Sequence, residues 1–110
     1  MEAASAGAEP PQHMKALEQA NAVRLARAER KREIARGDLA VEDVILQIPM
    51  ELESISLAEL LQAQKRWGRH RVRKFLMIAT LAENKKLGTL TPRQQSLLAR
   101  EVVRAKGGAT

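Results

Sequence analysis

The sequence predicts an all-α protein: a small bundle of short helices preceded by one long basic helix. Three observations carry that expectation. Apolar residues recur at helical spacing in several separate stretches after residue 38. Helix start signals, Ser56-x-x-Glu59 and Thr91-Pro92-x-Gln94, stand where two of those stretches begin. Trp67 and Phe75 are the two aromatics among 110 residues, so the core must be drawn from Leu, Ile, Val, Ala and Met, a set that favours helices.

Residues 1–13 are rich in Ala and Gly, hold Pro10 and Pro11, and lack periodicity, which predicts a disordered tail. Residues 14–36 are dense in Ala, Glu, Arg and Leu and predict a helical arm closed by Gly37. Leu17, Val23, Leu25 and Ile34 point in different directions on a helical wheel, so this arm cannot bury one whole face. Arg24, Arg27 and Lys31 share a face, and Glu29 with Arg32 and Glu33 with Arg36 are placed to pair at i, i+3. Lying along a nucleic-acid backbone and standing as a solvated, charge-laced helix are both open to such an arm.

The folded domain is expected over 37–106. Asp38 is placed to cap, and Val41, Val44, Ile45 and Ile48 give a short helix ending before Pro49. Met50 to Ile55 reads as a connector. Ser56 and Glu59 form a capping box for a helix that buries Leu57, Leu60 and Leu61 and ends near Lys65. Val72, Phe75, Leu76 and Ala79, continued by Leu81 and Ala82, mark the next helix. Asn84 to Thr89 is a second turn. Thr91, Pro92 and Gln94 then start the last helix, with Leu97, Leu98, Val102 and Ala105 as its buried stripe, Gly107 and Gly108 as its end, and 107–110 as a tail.

Charge is segregated along the chain. Residues 37–64 carry six acids and no Lys or Arg, whereas 65–110 carry twelve basic residues and two acids. With a net charge of +6, that asymmetry points to a polyanion partner. The densest stretch is Lys65 to Lys74, in which six of ten residues are Lys or Arg and none is acidic. Gly68 in its centre is free to adopt positive φ and to let a ligand approach the backbone. The N–H groups of Arg69, His70 and Arg71 then open a helix, where unpaired donors favour anions. Trp67 reads as core. Arg66, Gly68, Arg69, His70, Arg71, Arg73 and Lys74 are thus candidate phosphate contacts. Lys85 and Lys86 in the second turn, Arg93 at the start of the last helix, and Arg24, Arg27 and Lys31 on the arm join them.

Catalytic material is scarce. His13 and His70 lack the partners of a base or ligand, and the acids show no metal-ligand spacing. No phosphate-cradling Gly-rich motif occurs. Neither an enzyme, a cofactor, a metal nor a small-molecule substrate is expected. There is no cysteine, which fits a reducing cytoplasm, and no apolar run approaches the ~20 residues a bilayer requires.

Leu60-Leu61, Arg66-Trp67-Gly68-Arg69, Leu81, Lys85-Lys86-Leu87, Leu90, Arg93-Gln94 and Leu98 together resemble the actinobacterial integration host factors, over about residues 14–105. The chain departs from that pattern at Lys65, where a Pro is usual, and at Thr89, where a Gly is usual. The resemblance implies a helix-two-turns-helix unit. It also implies a nucleoid-associated protein of the cytoplasm that binds duplex DNA with weak sequence preference, shapes or bends it, and can assist a recombinase or integrase complex. A monomer in isolation is expected, with the Gly68 hairpin and Arg69 on phosphate and Arg24 and Arg27 on the arm. A ribosome- or RNA-associated protein using the same basic turns is the alternative, and an interaction adaptor working through its acidic 37–64 surface is a second.

Overall fold

The computed structural model describes residues 12–108, with side chains from 14 to 106. The tail expected at 1–13 therefore lies outside the described residues up to position 11, and Gln12 and His13 are already helical. The chain is all-α, as its sequence predicts. It comprises α1 (Gln12–Arg36), α2 (Val41–Leu46), α3 (Leu57–Gln62), α4 (Arg69–Ala79) and α5 (Pro92–Gly108), with single 3-10 turns at Met50–Leu52 and Leu87–Thr89.

The long helix is an arm with one foot in the core. Ile34 is buried, while Met14, Leu17, Val23 and Leu25 are exposed, so α1 adds little apolar burial along its length. Gly37 ends it at φ +86°, and its N–H donates to the Ile34 carbonyl while Asp38 N–H donates to Glu33. Those two bonds satisfy the last carbonyls in the Schellman pattern, in which only a residue free to take positive φ fits at this position. Asp38 does not cap α2, whose N-cap is Ala40 without a side-chain bond. The Asp38 carboxylate instead accepts from Arg36 Nε at 3.0 Å, because the charged donor is already beside it. Glu29 pairs with Arg32 at 2.9 Å as expected. Glu33 pairs with Arg30 at 2.7 Å rather than with Arg36, which turns to Asp38 and Glu29.

The body is one apolar core built from both sides of the sequence. Val41, Val44 and Ile45 of α2 pack against α5, where Leu98, Ala99 and Val102 are buried. Leu57, Leu60 and Leu61 of α3 face Val72 and Leu76 of α4. Leu97, expected in the buried stripe of α5, is 42% exposed, because α5 turns the Leu98–Val102 side toward α2. Gln95 Nε2 reaches the Ile45 carbonyl at 2.9 Å, satisfying one of the acceptors left open at the end of α2.

Two helices end sooner than the apolar pattern indicates. α3 stops at Gln62, short of Lys65. α4 stops at Ala79, and Thr80 takes a left-handed conformation, φ 58° and ψ 40°, with Leu81 N–H closing back on Leu76. Leu81 and Ala82 therefore belong to the turn, not to the helix. The capping box of α5 is complete: Gln94 N–H donates to Thr91 Oγ1 at 3.1 Å, and Thr91 N–H donates to Gln94 Oε1 at 2.9 Å. At α3 only half of the box forms. Glu59 N–H donates to Ser56 Oγ, but the Glu59 carboxylate accepts from Lys31 of α1 at 2.8 Å.

A backbone seam joins the two halves of the domain. Leu57 N–H donates to Lys85 O, Ala58 N–H to Glu83 O, Leu87 N–H to Ile55 O and Gly88 N–H to Glu53 O. The pairing amounts to a single antiparallel bridge between Ser56 and Lys86, and it is the one piece of β-type geometry among the described residues.

Candidate nucleic-acid interface

The basic stretch forms the turn from α3 into the first two turns of α4. Trp67 is its anchor. It is 5% exposed, meets the Phe75 ring edge-on at 5.3 Å, and lies under the Arg71 guanidinium at 4.3 Å. The structure thus confirms Trp67 as core and unavailable for stacking on a base. Gln64 is buried beside it, its Nε2 donating to the Leu61 carbonyl.

Positive φ falls on Arg66, at 74°, and not on Gly68. Gly68 is the N-cap of α4 with φ −75° and ψ 176°, extended backbone that any residue adopts, and a Cβ placed there meets nothing within 4 Å. The conformational argument for Gly68 is therefore overturned, because the reversal of direction is made two residues earlier. What remains is that Gly68 puts no side chain in front of the helix end. The N–H groups of Arg69, His70 and Arg71 have no cap from that residue, and Val72 N–H is the first to close, on Gly68 O at 3.0 Å.

The first turn of α4 holds no acid and two arginines. Helix N-termini favour negative charge, each well-placed acid being worth ~0.3–1 kcal/mol, so Arg69 and Arg71 are set against the local field. An anion at this position relieves the repulsion and fills the open donors together. Arg69, His70 and Lys74 are exposed, as are Lys65 and Arg66. Among the described residues no carboxylate pairs with Lys65, Arg66, Arg69, Arg71 or Lys74. Arg73 differs: Glu83 holds its Nε at 3.2 Å and so ties α4 to the second turn.

The second turn stands at the start of α3, fixed there by the backbone seam. The basic turn lies just past the other end of α3, about 9 Å of helix away. Lys85 is half-buried, Lys86 is exposed, and neither has an acidic partner among the described residues. Arg93 is exposed in the first turn of α5, which likewise contains no acid.

The arm's cations are placed otherwise. Arg27 donates to the Glu51 carbonyl at 3.2 Å and to Ser54 Oγ at 2.8 Å. Lys31 pairs with Glu59, and Arg30 reaches Glu51 at 3.5 Å as well as Glu33. Among the described residues Arg24 bonds only Asn21 of its own helix, at 3.3 Å, and it stays exposed. The hydrogen bond from Arg32 lowers the Glu29 pKa, and the bond to Asp38 raises that of Arg36. The Glu29 pair therefore helps at neutral pH and is lost as pH falls through the depressed carboxyl pKa. Sequence reasoning omitted Arg30 as a fastener of the arm, since its acceptor Glu51 is remote in sequence. It also left Lys65 out of the candidate contacts, although the same acid-free stretch contains it.

Among the described residues no cluster of His, Asp and Glu is arranged to hold a metal ion, and no helix is long and apolar enough to cross a membrane. No family model and no curated protein matches the sequence. The fold is similar to that of sIHF, solved bound to an 8 bp palindromic DNA, with a TM-score of 0.69 and 24% identity over 76% of this chain and 97% of that one. Over about three quarters of its length this chain therefore has the fold of sIHF.

Proposed function

We propose that this protein binds duplex DNA through backbone phosphates, with Arg66, Arg69, His70, Arg71 and Lys74 around the open N-terminus of α4. The observation that carries the reading is the first turn of α4, where arginines replace acids over N–H donors without a side-chain cap and no carboxylate among the described residues offsets them. Such an arrangement raises the local repulsion in the free protein and lowers it when an anion arrives. The fold shared with sIHF, itself solved on DNA, supports the choice of DNA. Lys85, Lys86 and Arg93 extend the contact, with Arg24 available from the arm and Arg73 shared with Glu83. Arg27 and Lys31 hold the arm at its angle. The protein acts without catalysis, in the nucleoid, by shaping DNA, and assistance to a site-specific recombinase is a use to which such shaping lends itself.

Phosphate contacts make binding weakly sequence-specific and strongly salt-dependent. With about six phosphates engaged, affinity for random duplex DNA falls on the order of 10³-fold between 50 and 200 mM salt. A titration against random duplex DNA and structured RNA at those two salt concentrations tests the proposal. A salt slope near zero sinks phosphate binding altogether, and a preference for the RNA moves the protein to the ribosome- or RNA-associated class.

A further inference from the structure

Among the described residues, apolar side chains stand exposed on the arm and around a groove of the body. At 100° per residue, Met14, Leu17 and Leu25 fall within about 80° of one another on α1, on the side away from Arg27 and Ile34. Leu17 is 59% exposed and Leu25 70%. On the body, α4 and α5 enclose an open groove of about 580 Å³, lined by Phe75, Ile78, Leu81, Leu97, Glu101 and Arg104. Ile78, in its wall, is 76% exposed.

We propose that the arm of one copy lies in the α4/α5 groove of the next, antiparallel to α5, so that the chain associates head to tail. The occupant follows from the register. Leu25 to Leu17 spans the same eight residues as Leu97 to Ala105. With Leu25 over Leu97 and Leu17 over Ala105, Glu18 falls opposite Arg104, Asn21 falls opposite Glu101, and Arg24 lies one turn from Glu101. Among the described residues these polar groups make only short-range bonds within their own helices, Arg104 to Glu101 at 3.6 Å and Arg24 to Asn21 at 3.3 Å, so exchange between copies costs little. The arm cannot serve its own groove. It is one continuous helix fastened to the body through Arg27, Arg30, Lys31 and Ile34, and its first three turns stand clear. A contact between two different surfaces leaves an arm and a groove free at the ends of each assembly, so successive copies extend the chain unless the rotation between them closes a ring. Against the expectation of a monomer in isolation, the protein is then monomeric only when dilute, with a Kd on the order of 10⁻⁴ M for a contact of this small size.

The test uses the full chain without nucleic acid, by sedimentation velocity at low salt up to about 0.5 mM, several times that Kd. One variant carries Leu17→Glu and Leu25→Glu, the other Ile78→Glu and Leu97→Glu, all at exposed positions, with folding checked by circular dichroism. Wild type associates, and each variant alone is monomeric. Their equimolar mixture restores a dimer and nothing larger, because one partner keeps its groove and the other its arm. Glu18→Arg weakens wild-type association about tenfold, and adding Arg104→Glu to it restores the contact. A wild type that stays monomeric, a variant that still associates alone, or a mixture that stays monomeric each overturns the proposal. A groove-to-groove dimer, or a groove covered by residues 1–11 of the same chain, produces one of those results.

Discussion

The arginines of α1 and those that lead into α4 are alike in type, yet the fold gives them opposite surroundings. Arg27, Arg30 and Lys31 find Ser54, Glu51 and Glu59, all in the acidic segment that α1 crosses. Arg66, Arg69 and Arg71 find no carboxylate among the described residues and sit by a helix end whose field repels them. The first set is held by the protein itself and fixes the arm's direction. The second set is left unneutralised, which makes it the part of the basic surface where an external anion changes the energy most. Positive charge in a sequence thus reports a polyanion partner only after internal acids have taken their share.

That contrast can be broken by experiment. Converting Arg66 and Arg69 together to Gln should have the largest effect: DNA affinity down on the order of 10²-fold for all sequences, with the salt slope flatter by about two. Binding isotherms on two unrelated duplexes read both quantities, and unequal losses would show base readout. Removing Arg27 and Lys31 by Ala substitution should act on folding instead. Unfolding in urea should show a loss of about 1–2 kcal/mol, because Arg27 makes two hydrogen bonds while the exposed Lys31 pair adds little. A salt slope that falls by two in this variant as well would erase the distinction between the two sets. The smallest effect concerns glycines. Gly88→Ala puts its Cβ 3.2 Å from the Glu53 backbone and should cost about 1 kcal/mol in the same urea assay. Gly68→Ala, with extended backbone and open space, should leave stability within about 0.5 kcal/mol.

What the sequence conveys about this fold depends on how far apart the interacting residues are. The Thr91–Gln94 box was legible because both partners lie within one turn and nothing else competes for Gln94. The Ser56–Glu59 box looked identical, yet Lys31, on another helix, takes the Glu59 carboxylate. Trp67 could be assigned to the core because it is one of two large aromatics in a chain otherwise built on aliphatic residues. The positive-φ residues Arg66 and Thr80 could not be found by looking for Gly or Asn; at Thr80 the bonds from Thr80 and Leu81 N–H back to α4 accompany the left-handed turn, and at Arg66 Trp67 N–H closes on Gln64. Leu97 matched the period of α5, but period alone does not say how wide a face the neighbouring helices cover. In the candidate site, the basic stretch and the helix start could be read directly, whereas the internal partners of Arg27, Lys31 and Arg73 could not, being ten or more residues away in sequence.

The seam between residues 53–58 and 83–88 has a consequence for how the molecule opens. Its bonds close a loop of about thirty residues holding α3, the basic turn and α4, a closure whose entropy the local helices do not offset by themselves. The amides of Leu57, Ala58, Leu87 and Gly88 should therefore exchange with solvent as one cooperative unit, at a common rate in a native-state exchange measurement. The first turns of α1 have no such tie among the described residues, and their amides should exchange by fraying, long before the domain unfolds.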